Sequence, residues 1–248
     1  MDLNADLGET VDGAPTADDA AMFALVTSAS IACGGHAGDP GSMRAAVAGA
    51  AAAGVAVGAH PSYLDRVGFG RVRIAVDPVD LRRQVRDQLR ALAEAGADVR
   101  YVKPHGALYH AASEDERTAR AVAAAVADLS SELGRALPVL GLGGAIAQAA
   151  AEAGLPFRLE AFLDRGYEAD GSLVPRGIPG ALLDDPDVVA ERAIRLATEG
   201  TVLAVSGEPV RSDAVSLCVH GDSPGAVAMA RAVRSALDAA GIEVRAPW

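Results

Sequence analysis

Four of the chain's five histidines follow short apolar runs. His36 closes "SASIACGGH", His60 closes "VAVGAH", His105 follows "VRYVKP", and His220 follows "AVSLCV". Asp6 ends the first apolar run, Asp164 and Arg165 follow "RLEAF", and Asp222 lies just past His220. Imidazole exchanges protons near neutral pH. Lys103 and Arg165 suit a carboxylate or phosphate, Arg165 in bidentate fashion. Asp6, His36 and His60 supply a carboxylate and two imidazoles, a ligand set for a divalent metal, although no HxxxH or HExxH spacing accompanies them. Lys103 and His105 are two residues apart, so an extended chain points both to one side. Pro104 between them has no N–H and ends strand pairing. Gly106 lets the chain turn closely over a ligand, and His110, beyond that turn, is expected to be dispensable.

A lone histidine after a strand is more often a loop or capping residue. Four of five at equivalent ends favour a shared polar site, because an apolar residue would fill core space at less cost. Other motifs carry less. Cys33 reads as a small buried strand residue rather than a nucleophile. "GLGG" (141–144) reads as a tight strand-to-helix turn, and no GxxxxGK[ST] loop occurs, so the residues themselves do not imply ATP.

The elements that must position these side chains alternate along the chain. Strands are expected at the opening "MDLNAD" and over 28–36, 55–60, 99–105, 137–143, 156–162 and 214–221, with "IEVRA" as a short final strand or tail. Helices are expected over 39–54, 77–96, 113–134, 144–154, 185–200 and 223–241. Three open Asp-Pro, and most close on glycine. Ser113 with Glu116 reads as a capping box. Strand-then-helix repeats imply a mainly parallel sheet covered by helices, either a closed barrel or an open doubly wound sheet. Both put ligands at the carboxyl ends of the strands. No linker or composition break divides residues 1–248, which are expected to form one domain.

Half the residues are hydrophobic, mostly Ala, Val and Leu, and the net charge is −11. Without a basic stripe, that charge disfavours nucleic acid and anionic membranes as partners. With only two cysteines, Cys33 and Cys218, a disulfide framework is not indicated. No signal sequence or membrane span is visible, and a cytoplasmic location is expected.

Six blocks together resemble one family: "DLNADLGE", "IACGGHAGDP", "GAHPSYLDRVGFGR", "VKPHGALY", "EAFLDRGYEADGSLVPR" and "CVHGDSP". In this order they resemble the LamB/YcsF family. The resemblance implies an α/β fold, a seven-stranded (β/α) TIM-like barrel similar to the glycoside hydrolase/deacetylase fold. It also implies ATP-dependent opening of 5-oxoproline (pyroglutamate) to glutamate, performed with 5-oxoprolinase subunits B and C. Carried onto this chain, it implies Asp6, His36, His60, Lys103 and His105 as catalytic residues. Asn4, Glu9, Asp39, Arg165, Arg176 and His220 become substrate-binding candidates, and any metal falls to Asp6, His36 and His60. The chain departs from the family's pattern at Ala5, Ser30 and Gly35, where the family often has Cys, Asn and Phe. Two other functions are carried forward: a stand-alone metal-dependent deacetylase or amidohydrolase, and a non-catalytic 5-oxoproline-binding subunit.

Overall fold

Seven short strands run side by side and in parallel until the last meets the first. In the computed structural model, which describes residues 1–248, the barrel strands are β1 (Asp2–Leu7), β4 (Ser28–Ala32), β5 (Ala56–His60), β6 (Val99–Val102), β7 (Val139–Gly141), β8 (Phe157–Phe162) and β11 (Ser216–Cys218). The closed order is β1-β11-β8-β7-β6-β5-β4. β1 pairs with both β11 and β4, with Asn4 opposite Cys218 on one side and Ser28 on the other. Of the two architectures left open by the sequence, the chain adopts the closed barrel.

Eight helices surround it: α1 (Asp19–Phe23), α2 (Pro40–Ala53), α3 (Pro78–Glu94), α4 (Gly106–Glu114), α5 (Glu116–Leu133), α6 (Ala145–Glu152), α7 (Pro186–Glu199) and α8 (Ala226–Ala239). The Asp-Pro openings behave as predicted. Asp39, Asp77 and Asp185 each accept from backbone N–H groups of the first turn, which satisfies donors that the helix itself cannot. Gly54, Gly134 and Gly200 end their helices in the left-handed conformation. The region 106–134 differs from expectation. It forms two helices, and the cap between them is Asp115, which accepts from the Thr118 N–H. Ser113 lies inside α4 and donates to the Tyr109 carbonyl instead.

Two short hairpins lie outside the barrel and were not predicted: β2 (Thr10–Val11) with β3 (Ala14–Pro15), and β9 (Thr201–Leu203) with β10 (Pro209–Arg211). "IEVRA" is a tail rather than a strand. It runs beside the N-terminus, with the Arg245 N–H donating to the Met1 carbonyl at 2.9 Å. Trp248 then stacks on Tyr101 at 4.4 Å and donates to Ser28 at 2.7 Å.

β1 shows how the sequence builds the two faces. Leu3, Ala5 and Leu7 alternate with Asp2, Asn4 and Asp6. The first set joins the apolar core. The second set faces the barrel interior, where Asp2 accepts from Ser28 and Ser216, and Asn4 donates to Ser216 and Glu160. All six residues are buried. The interior is therefore a filled polar column, not a pore. Gly58 makes room in it for Tyr101, since a Cβ at that position would lie 2.3 Å from the Tyr101 ring.

Candidate active site

The carboxyl ends of the strands deliver the predicted residues to one place. Asp6, Glu9, His60, Lys103, His105, Arg165, Arg176 and His220 all line a cavity of about 520 Å³. His36 lies directly behind His105, its ring stacked on it at 3.6 Å with a 2° interplanar angle. Asn4 lies one layer deeper, with its Oδ1 3.3 Å from the Lys103 ammonium. Asp39 does not reach the pocket; its carboxylate caps α2. His110, beyond the turn as expected, also lines the pocket. It does so because Gly106, with φ at +54°, starts a helix at once.

Lys103 occupies the pocket floor. Only 1% of the residue is exposed. Its ammonium sits 2.8 Å from Asp6 and 2.7 Å from Glu160. Burial works against its charge, but Asp6 leads the neighbours that hold its pKa well above the ordinary lysine value. Asp6 mirrors this: burial would raise it, but His60 and Lys103 hold it well below the usual carboxylate range. Glu160 also accepts from Tyr109. Lys103 is therefore a fixed internal cation, not a free anion-binding group. Sequence reasoning missed Glu160, although a carboxylate inside the apolar run "RLEAF" was a visible signal.

The two pocket histidines have their tautomers set from outside. His60 Nδ1 donates to the Lys103 carbonyl at 2.7 Å, and His105 Nε2 donates to the Phe69 carbonyl at 3.0 Å. A neutral imidazole carries one N–H. The inner nitrogens, His60 Nε2 and His105 Nδ1, thus face each other at 2.9 Å as two lone pairs. That contact requires one added proton or a bound cation between them. Burial, followed by His36 and His60, lowers the His105 pKa well below the imidazole value. On the other side of the contact, His60 Nε2 faces the Asp6 carboxylate at 3.3 Å, so a proton held there has an anionic neighbour.

Glu9 lies beside His36 and lines the same pocket. It is 4% exposed. Burial, then the neighbouring Asp6 charge, pushes its pKa up to about 8, so it is protonated at neutral pH. Its Oε1 lies 2.9 Å from His36 Nε2. Burial lowers the His36 pKa well below the ordinary value, and His36 Nδ1 has no partner. The arrangement that leaves no buried N–H orphaned puts the His36 proton on Nε2, donating to Glu9 Oε1. Glu9 Oε2 then carries the acid proton.

Three groups bring their donor atoms within 4.8 Å of one another: Glu9 with His36 and His105, Asp6 with Cys218 and His220, and Asp6 with His60 and His105. The last group keeps two of the three expected ligands, Asp6 and His60, with His105 in place of His36. The outer nitrogens of both histidines are bonded to carbonyls, as in metal-ligating histidines generally, so the donor set fits a divalent cation.

At the rim, Arg71 pairs with Asp222 at 2.5 Å, and Arg73 pairs with Glu114 at 2.9 Å. Neither arginine was singled out from sequence, where "GFGRVR" gave only an arginine after a glycine-rich turn. Asp164 and His220 form a side pair at 2.9 Å, held further by Ser223. Cys33 is buried, and burial raises its thiol pKa to about 12, in keeping with a packing role. No helix is long and apolar enough to cross a membrane.

The chain is 52% identical over 251 residues to the A component of 5-oxoprolinase from Streptomyces griseus subsp. griseus, covering 99% of each chain. It is 51% identical to the A component of 5-oxoprolinase from Nocardia farcinica, covering 99% of this chain and 98% of that one. The crystal structure of the lactam utilization protein from Thermus thermophilus superposes with a TM-score of 0.92 at 45% identity, covering 99% of both chains. The LamB/YcsF family model matches residues 1–247, and the chain belongs to the LamB/YcsF family.

Proposed function

We propose that this chain is the ring-opening component of an ATP-dependent 5-oxoprolinase, converting 5-oxoproline to glutamate together with subunits B and C in the cytoplasm. The observation that carries the reading is the buried Glu9 carboxyl beside the His60–His105 pair in one arginine-rimmed pocket at the strand ends. The names of the similar proteins, a component of 5-oxoprolinase and a lactam utilization protein, supply the substrate class.

A five-membered lactam is a stable amide. Transfer of the ATP γ-phosphoryl group to the lactam oxygen releases ADP and makes the ring carbon electrophilic. Water adds to that carbon, giving up one proton. The C–N bond then breaks, the ring nitrogen takes a proton, and an acyl phosphate forms. A second water releases phosphate and glutamate. The protein's task is to move protons at the carbon and at the nitrogen. The His60–His105 pair, held by Asp6, takes the proton from water in the form that lacks the shared proton, and the contact then holds it between the two rings. Glu9 delivers the proton to the leaving nitrogen, and His36 orients Glu9. Lys103 keeps Asp6 ionised and in place. A divalent cation held by Asp6, His60 and His105 would supply Lewis acidity toward water.

The convergence of Asp6, His60 and His105 also favours a second reading, a metal-dependent amide hydrolase acting alone. One assay separates the two: glutamate release from 5-oxoproline, with and without ATP, and with and without subunits B and C. Release that needs ATP and both partners supports the proposal. Release by this chain alone, dependent on added metal and indifferent to ATP, favours the second reading.

A further inference from the structure

We infer that Arg165 and Arg176 form a subsite for a dianionic phosphoryl group in the pocket wall. The identity of the phosphoryl-bearing ligand rests on the proposed reaction; the subsite rests on charge and geometry.

Five cations line the pocket: Arg71, Arg73, Lys103, Arg165 and Arg176. Three already have carboxylate partners, as Lys103 lies between Asp6 and Glu160, Arg71 meets Asp222, and Arg73 meets Glu114. The other two do not. Arg165 is 4% exposed. Its Nε and Nη2 donate to the carbonyls of Ala181 at 3.0 Å and Val174 at 2.7 Å. Those acceptors are neutral, and Nη1 has no partner. The adjacent Asp164 is engaged by His220 and Ser223. Arg176 makes no hydrogen bond or ion pair with the rest of the chain.

A buried guanidinium held only by carbonyls is costly to keep in a protein wall. A second guanidinium next to it adds repulsion. Burial and the Arg176 charge push Arg165 down to about 10, and burial followed by Arg71 lowers Arg176. The segment that carries both is nonetheless held firmly. The Val174 N–H donates to the Gly166 carbonyl at 2.9 Å, the Gly166 N–H to the Ala181 carbonyl at 3.0 Å, and the Phe162 N–H to the Tyr167 hydroxyl at 2.7 Å. Two guanidinium groups without a carboxylate partner therefore face one pocket, Arg165 buried and held by carbonyls and Arg176 exposed beside it, in a chain whose net charge is −11. A carboxylate would balance one of them. A phosphoryl group brings nearly two negative charges and three acceptor oxygens, enough for both guanidinium forks. In the proposed reaction this group is the phosphate on the activated lactam, and the pocket would receive that species rather than the free lactam alone.

The test uses the isolated full chain and methyl phosphate, a dianion above its second pKa of about 6, with 5-oxoproline as a carboxylate probe, each titrated calorimetrically. Methyl phosphate is expected to bind with one-to-one stoichiometry and more tightly as pH rises past that value. Arg176→Gln, at an exposed position with no internal bonds, should fold normally and weaken methyl phosphate by roughly ten- to a hundredfold. It should weaken 5-oxoproline, a monoanion, several-fold less than methyl phosphate, and Arg176→Lys should restore part of the loss. No methyl phosphate binding at tens of millimolar would overturn the inference. So would an Arg176→Gln chain that loses 5-oxoproline but keeps methyl phosphate, because the subsite would then belong to the carboxylate. Glutamate release by the assembled enzyme tests the reaction separately: its absence alongside intact methyl phosphate binding removes the reaction and leaves the subsite.

Discussion

Replacing Glu9 by glutamine tests the proposed acid through stability as well as turnover. Glu9 has an ordinary value of 4.5 and is pushed up to about 8 in the fold. The folded chain therefore holds its Glu9 proton over a range where the unfolded chain has released it. Where the native state binds more protons, stability falls as pH rises. The Glu9 contribution is fully present below about 4.5, shrinks from there to about 8, and is then constant. Each factor of ten in the proton equilibrium is worth about 1.4 kcal/mol, so ionising Glu9 in place costs roughly 4–5 kcal/mol. A glutamine here keeps an acceptor for His36 and cannot ionise. Glu9→Gln should match wild type in urea unfolding near pH 5 and exceed it by several kcal/mol near pH 9. Its turnover with partner subunits should fall about 10²–10⁴-fold. Wild-type turnover should also decline as pH passes about 8. A stability difference between the two proteins that is the same at both pH values would show that Glu9 does not titrate there, and would remove it as the acid.

Lys103→Met leaves Asp6 and Glu160 buried without their cation, so unfolding free energy should drop by about 3–5 kcal/mol; a denaturation midpoint equal to wild type would contradict the internal role. His105→Ala removes one side of the His60 contact and the stacking partner of His36, and turnover of the assembled enzyme should drop about 10²–10⁴-fold. Thermal unfolding measured beside the kinetics separates this from a loop-supporting role, and activity within a few-fold of wild type would exclude His105 from the proton path.

Much of the scaffold follows from local rules. The Asp-Pro openings bound the starts of α2, α3 and α7, and glycine stops end α2, α5 and α7, because capping and the left-handed turn are decided within a few residues. Strand ends were legible for the same reason: Pro104 cannot continue the β6 ladder, so Lys103 and His105 fall at its carboxyl end. The alternation of strands and helices limited the fold to parallel sheets. Closure was not legible, because it depends on β1 pairing with both β4 and β11, and the β11 partner of Asp2 is Ser216, at the far end of the chain. The alternation "DLNADL" would suit a half-exposed strand, yet every residue of it is buried, because closure turns the polar face inward.

The candidate residues were likewise visible by type, and the six family blocks named most of them. Their roles were not. Lys103 looked available to an anion, but Glu160 and Asp6 arrive from other strands and occupy it. Asp39 looked like a site residue, but its nearest unsatisfied groups are the N–H donors of its own helix. Glu9 has Asp6 three residues before it, but the burial that first raises its pKa comes from residues distant in the chain. A side chain's type is written in the sequence. Its protonation state and partners depend on desolvation and charges within a few ångströms, and only the closed barrel brings those together.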